Sequence, residues 1–118
     1  MLKQYVLVSK KPKMSPGKIA SQVAHATFMA LEKESRAVIN RWKREGMCVI
    51  VLECKDIQQL RDTDTYLTSW NVIHHLYIDE GMTEVPAMTP TALATGILAD
   101  DKQWMVSQFK MYSNNRFI

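Results

Sequence analysis

Apolar residues in this chain gather into short runs of strand length, and between those runs they recur at the three- and four-residue spacing of helices that face a core. Residues 2–8 end in the nearly continuous Tyr5-Val6-Leu7-Val8, the pattern of a central strand covered on both faces. Residues 47–54, MCVIVLEC, predict the clearest buried strand, 72–78 a third and 91–98 a fourth. The first helix starts at Ser15, whose hydroxyl can accept from an orphan first-turn amide, and Pro16 follows where no N–H is needed. Along it Lys18, Gln22, His25 and Met29 form one stripe, and Ile19, Val23, Ala26 and Ala30 another. One face is expected to be buried while the other presents an ammonium, an amide and an imidazole. The helix is expected to reach about Lys33, with Ala20 and Ala24 allowing close approach to a sheet. Ser35 caps a second helix with Val38, Ile39 and Trp42 as apolar positions and Gly46 as its stop; Asp56 opens a third, ending near Trp70. A short last helix over 100–109 and a loose tail over 113–118 complete the expected elements.

Strands alternating with helices predict an α/β fold, a three-layer α/β/α domain around a four-stranded mixed sheet. The connection 79–90, DEGMTEVPAMTP, leaves no room for a crossover helix and so predicts an antiparallel neighbour for the third strand. With no repeat, low-complexity stretch or linker, residues 1–118 are expected to form a single domain. Trp42, Trp70 and Trp104 are expected in the core.

Composition narrows the class. At 118 residues, 47% hydrophobic and 23% charged, the chain supports one real core. No apolar run approaches the roughly 20 residues that span a bilayer, and the start is too short and strand-like for a signal peptide, so no membrane partner and a cytoplasmic location are expected. Cys48 and Cys54 lie too far apart along one strand to bridge and are expected to be buried thiols. His74 and His75, adjacent on a strand, point to opposite faces and cannot share a metal; one is expected buried and the other exposed. No metal site or cofactor is expected. The net charge of +3 hides an asymmetry: residues 1–44 hold ten Lys and Arg against two Glu, and residues 45–118 hold five against ten acids. Lys3, Lys10, Lys11, Lys13 and Lys18 all precede the first acid, Glu32, which suggests a face for a polyanion or, more plainly, a solvated basic surface.

A Gly-Lys at a helix start invites a phosphate-loop reading, but that motif needs Gly at 12 and Ser or Thr at 19, where this chain has Pro12 and Ile19. No nucleophile motif replaces it. What remains is Lys18, Gln22 and His25 on the first helix, with Asp79 and Thr83 just beyond the third strand. Ligand sites in open α/β sheets lie at the carboxyl ends of strands, so the two groups meet if the first and third strands run the same way. A carboxylate beside an ammonium then stays ionised and can orient or deprotonate water, while Lys18 can hold phosphate or stabilise an oxyanion. The plainer alternatives are an exposed lysine, a helix-surface glutamine, a histidine bonded to a carbonyl, and turn-capping Asp79 and Thr83.

The run MSPGKIASQVAHA is similar to the first-helix signature of the type II peptidyl-tRNA hydrolases, approximately M-x-x-G-K-x-A-x-Q-x-x-H-A. The later run DEGMTEVPAMTPTALATG resembles that family's D-A-G-x-T-Q-I-x-x-G-T-x-T-V-L-x-I-G without a gap, and RWKREGMCVIVLECKDIQQL resembles the segment between them. The resemblance implies an α/β/α fold around a four-stranded mixed sheet, frequent homodimers, and hydrolysis of the ester joining peptide to tRNA without nucleophile or metal. It places Lys18, Gln22, Asp79 and Thr83 on active-site positions and His25 on the signature helix. With Lys10, Lys11, Lys13 and Lys18, His25 would face the tRNA, the lysines contacting its phosphates. Glu80, Met82, Glu84 and Met88 stand where the family usually has Ala, Arg, Gln and Gly. The added acids are expected to raise the Asp79 pKa and to oppose an anionic RNA. Two rival functions follow: a non-catalytic tRNA-binding module of the same fold, and a hydrolase for another ester or amide.

Overall fold

The computed structural model describes residues 1–81 and 83–112. Its elements are β1 (Lys3–Ser9), α1 (Pro16–Leu31), α2 (Arg36–Arg44), β2 (Cys48–Cys54), α3 (Ile57–Ser69), β3 (His74–Asp79), β4 (Thr89–Leu98), a 3-10 helix (Asp100–Val106) and β5 (Lys110–Met111). Each α-helix begins where a side chain can cap it: Ser15, Ser35 and Asp56 accept from the amides of Lys18, Val38 and Gln59. α2 ends in a left-handed turn, with φ of 110° at Gly46 and 56° at Met47, and the Trp42 indole then donates to the Cys48 carbonyl at 3.0 Å.

The sheet has five strands rather than the expected four, in the order β3-β4-β1-β2-β5. The extra strand is two residues long, too short to leave a periodic signal, and pairs Leu52 with Met111 and Glu53 with Lys110. β1 and β2 are parallel, whereas β4 is antiparallel to both β1 and β3. β1 and β3 therefore point the same way, and their carboxyl ends lie on one edge.

Two apolar layers fill the spaces beside the sheet. Val6, Val8, Ala92 and Ala94 meet Ala26 and Ala30 of α1 on one face, while Leu7, Leu52 and Leu93 meet Leu60 and Leu67 of α3 on the other. Trp42 of α2 closes a third cluster with Leu2 and Ile97. The expected close-approach pair is displaced: Ala20 and Ala24 are exposed, and Ala26 and Ala30 touch the sheet. Gly96 is needed for space, since a Cβ there would collide with the Glu34 carboxylate and stand 2.9 Å from Ile73 Cγ2.

Burial differs from the sequence pattern in four places. All ten residues of β4 are buried, whereas β2, beside the short β5, leaves Val49 exposed. Trp42 is in the core, but Trp70 and Trp104 lie on the surface with their rings packed edge to face at 5.8 Å. Cys54 is buried, which pushes its thiol up to about 12, while Cys48 is half-buried. His74 and His75 are both half-buried, His74 bound to the Val72 carbonyl and Asp64. The last helix is 3-10 and stops at Val106, and the expected tail over 113–118 lies outside the described residues.

Candidate active site

The helix start and the end of β3 meet because β1 delivers the chain to α1 on the edge where β3 terminates. Lys18 Nζ lies 2.5 Å from Asp79 Oδ2, with side chains only 12% and 6% exposed, so the pair is largely shielded from water. Asp79 Oδ1 accepts from the Gly81 amide at 3.0 Å, and Thr83 Oγ1 donates to Oδ2 at 3.3 Å. These donors favour the charged form, and the Lys18 hydrogen bond, the largest of them, holds the Asp79 carboxyl below the usual carboxylate range. The expected rise from neighbouring acids is overturned. Glu80 is exposed, and Glu84 turns to the helix start instead.

Gln22 stands one helical turn beyond Lys18, but it is buried rather than displayed. Its Oε1 accepts from Thr91 Oγ1 at 2.5 Å. Thr91 reaches it because the β3–β4 register slips between Tyr77 and Ile78, leaving an extra residue in β4 that turns the hydroxyl towards α1. His25 is exposed and stacks on Tyr77 of β3, ring centroids 4.9 Å apart.

The other expected cations sit apart. Lys10, Lys11 and Lys13 border a cleft of about 890 Å³ that includes neither Lys18 nor Asp79. Lys10 is 3.8 Å from Glu53 and lies over the Tyr112 ring. The expected site residues thus form a hydrogen-bonded cluster of Lys18, Asp79 and Thr83, with Gln22 on the buried face of α1, and a separate basic rim. Among the described residues no three His, Cys, Asp or Glu side chains gather as a possible metal set.

Two contributors were not visible in the sequence as site residues. Ser15 donates its backbone N–H to Glu84 Oε1 at 2.7 Å and its hydroxyl to Oε2 at 2.5 Å. These bonds, the hydroxyl one first, hold the Glu84 carboxyl below its usual range. Val85, buried with Val6, Val8 and Met14, anchors the same loop from below. The Ser15 cap was a legible signal; its acidic partner 69 residues away was not.

A family model described as "Peptidyl-tRNA hydrolase PTH2" matches residues 2–112. The chain is 39% identical over 98 residues to the peptidyl-tRNA hydrolase of Methanopyrus kandleri, covering 81% of this chain and 84% of that one. It is 29% identical to that of Methanothermobacter thermautotrophicus, over 86% and 90% of the two chains, and 32% identical to that of Halobacterium salinarum, over 84% and 88%. The chain belongs to the type II peptidyl-tRNA hydrolase family.

Proposed function

We propose that the protein hydrolyses the ester between peptide and tRNA in peptidyl-tRNA, acting as one domain over residues 1–118. The observation that supports this most is the shielded Lys18–Asp79 ion pair at the shared edge of α1 and β3. Asp79, kept ionised, orients and polarises the attacking water. Water oxygen bonds to the acyl carbon as the bond from that carbon to the ester oxygen breaks, the proton given up by the water passes to the ester oxygen leaving with the ribose, and Lys18 offsets the charge developing on the carbonyl oxygen. Thr83 holds Asp79, and Gln22, bonded to Thr91 against the sheet, steadies the helix that carries Lys18. Lys10, Lys11, Lys13 and His25 meet the tRNA, where phosphate contacts supply affinity rather than sequence choice.

Membership of the family supports a homodimer in the cytoplasm. No helix among the described residues is long and apolar enough to cross a membrane. The test is release of N-acetyl-amino acid from N-acetyl-aminoacyl-tRNA by the purified protein. Release above the spontaneous rate, reduced about 100-fold or more by Lys18→Ala or Asp79→Ala, is expected. No release above background, or full release by both variants, overturns the assignment. Salt-dependent tRNA binding without turnover would favour the binding-module alternative.

A further inference from the structure

β3 is an outer strand of the sheet, flanked by β4 on one side only. The carbonyls of Ile73, just before the strand, and of Asp79, at its end, accept from the Gly96 and Met88 amides on the β4 side. In an antiparallel pair the main-chain groups of successive residues turn alternately towards the partner strand and away from it. His74, Leu76 and Ile78 therefore turn theirs outward, and opposite Ile78 stands Pro90, which has no N–H to offer. This outer edge is closed at one end. Lys33, just past the end of α1, donates from Nζ to the His74 carbonyl at 2.7 Å, as lysines blunt strand edges elsewhere. Among the described residues no hydrogen bond reaches the outward groups of Leu76 and Ile78. The open stretch is thus the one that runs straight into Asp79, the carboxylate paired with Lys18.

We infer that the open edge of β3 holds the peptide half of the substrate as an added strand, parallel to β3 and with its esterified end at Asp79. The inference rests on the proposed function for the identity of the ester; the edge itself supplies the peptide site. A peptide fixed at Asp79 through its carboxyl end and lying along β3 must point its amino end towards His74, and this sets the parallel direction. At about 3.3 Å per residue, Leu76 lies about 10 Å before Asp79, so the second to fourth residues from the ester meet the outward groups. Leu76 and Ile78 together offer two N–H donors and two carbonyl acceptors, the complement of an extended peptide main chain. A phosphodiester strand has no evenly spaced amide donors for those carbonyls. Strand addition draws its affinity from the main chain and tolerates any side chain where no pocket reads it, as an ester bearing unrelated peptides requires. The lysine-rimmed cleft takes its sheet residue from β2 and none from β3, so peptide and tRNA leave the ester on different flanks of α1.

The experiment compares three esters of one tRNA with the wild-type protein: N-acetyl-alanine, N-acetyl-tetra-alanine, and the same tetrapeptide N-methylated on the three residues before the esterified one. The tetrapeptide is expected to raise kcat/KM about tenfold over the single residue, the effect of two ordinary main-chain hydrogen bonds, and N-methylation to remove the gain. Leu76→Pro takes away one outward N–H and spares the ladder to β4. It is expected to lower the tetrapeptide's advantage at least threefold, a ratio within one preparation that loss of folded protein does not alter. Equal kcat/KM for the short and long esters, or a gain that survives N-methylation, overturns the inference. If Leu76→Pro fails to fold, the wild-type series still decides. No length effect, with a dimer that Leu76→Pro dissociates in sedimentation, gives the edge to a second copy and also overturns it. Affinities of the three tRNAs are measured alongside by fluorescence anisotropy. Turnover with no length effect on rate or affinity removes the edge assignment alone, and tighter binding of the tetrapeptide ester without turnover removes the hydrolase assignment alone.

Discussion

Glu84 grips Ser15 with both carboxylate oxygens, one on the backbone N–H and one on the hydroxyl, and so ties the loop after Asp79 to the first turn of the helix that carries Lys18. The same hydroxyl accepts from the Lys18 amide at 3.2 Å, which puts loop, cap and lysine in one chain of hydrogen bonds. Glu84→Ala is therefore expected to lower kcat about tenfold by loosening the geometry, with KM within about twofold. Glu84→Gln can still accept from the Ser15 N–H and is expected to keep at least half the wild-type kcat. Steady-state kinetics of the two variants check this; equal loss in both would assign the effect to charge instead.

Met88 has a φ of 63°, a backbone conformation that L side chains avoid. Its side chain is 61% exposed, so removing it costs little packing. Met88→Gly should relieve about 1–2 kcal/mol of backbone strain, offset by about 0.4–1 kcal/mol of added unfolded-state entropy. The expected net is a rise in Tm of a few degrees, read by calorimetry.

Gln22 and Thr91 form a buried pair, so each has no water to turn to when the other is lost. Gln22→Leu is expected to destabilise the fold by about 1–3 kcal/mol, as is Thr91→Val, with the double variant less destabilised than the sum. Urea denaturation of the four proteins measures the coupling. An additive result would show that the hydrogen bond contributes nothing net.

Local chemistry was readable and distant pairing was not. Ser15, Pro16, Ser35 and Asp56 announce their helices because a cap is decided within a few residues. The length of the 79–90 connection likewise announced the antiparallel β3–β4 pair, whereas the common direction of β1 and β3 depends on the antiparallel β1–β4 pairing, which nothing local announces. Trp70 and Trp104 have the composition of core residues, yet their exposure depends on where α3 and the 3-10 helix end relative to the sheet. The Gln22 amide looked like helix surface because nothing local reveals that a register slip in β4 brings Thr91 beneath it. Glu84 looked like a charge added beside Asp79, and only the folded loop shows it turned to Ser15.

The Lys18–Asp79 pair fixes the direction of the acid response. The folded Asp79 pKa lies below its unfolded value of about 3.9, so the pair's contribution is fully present above that pH and is lost as pH falls through the folded pKa. Asp79 should therefore impose no acid limb on kcat/KM between about pH 5 and 8. Lys18→Met removes the largest cause of the depression and leaves a shielded carboxylate with the Gly81 amide and Thr83 hydroxyl as partners. The Asp79 pKa should then rise, since burial opposes the charge, and the fold should lose about 2 kcal/mol or more at neutral pH. Because the remaining carboxylate is relieved by protonation, the stability difference between Lys18→Met and wild type should narrow as pH is lowered towards 4. Urea titrations of both proteins across that range, with the Asp79 carboxyl followed by NMR, check the sign. A difference that stays constant or widens in acid would mean that Lys18 does not hold Asp79 ionised.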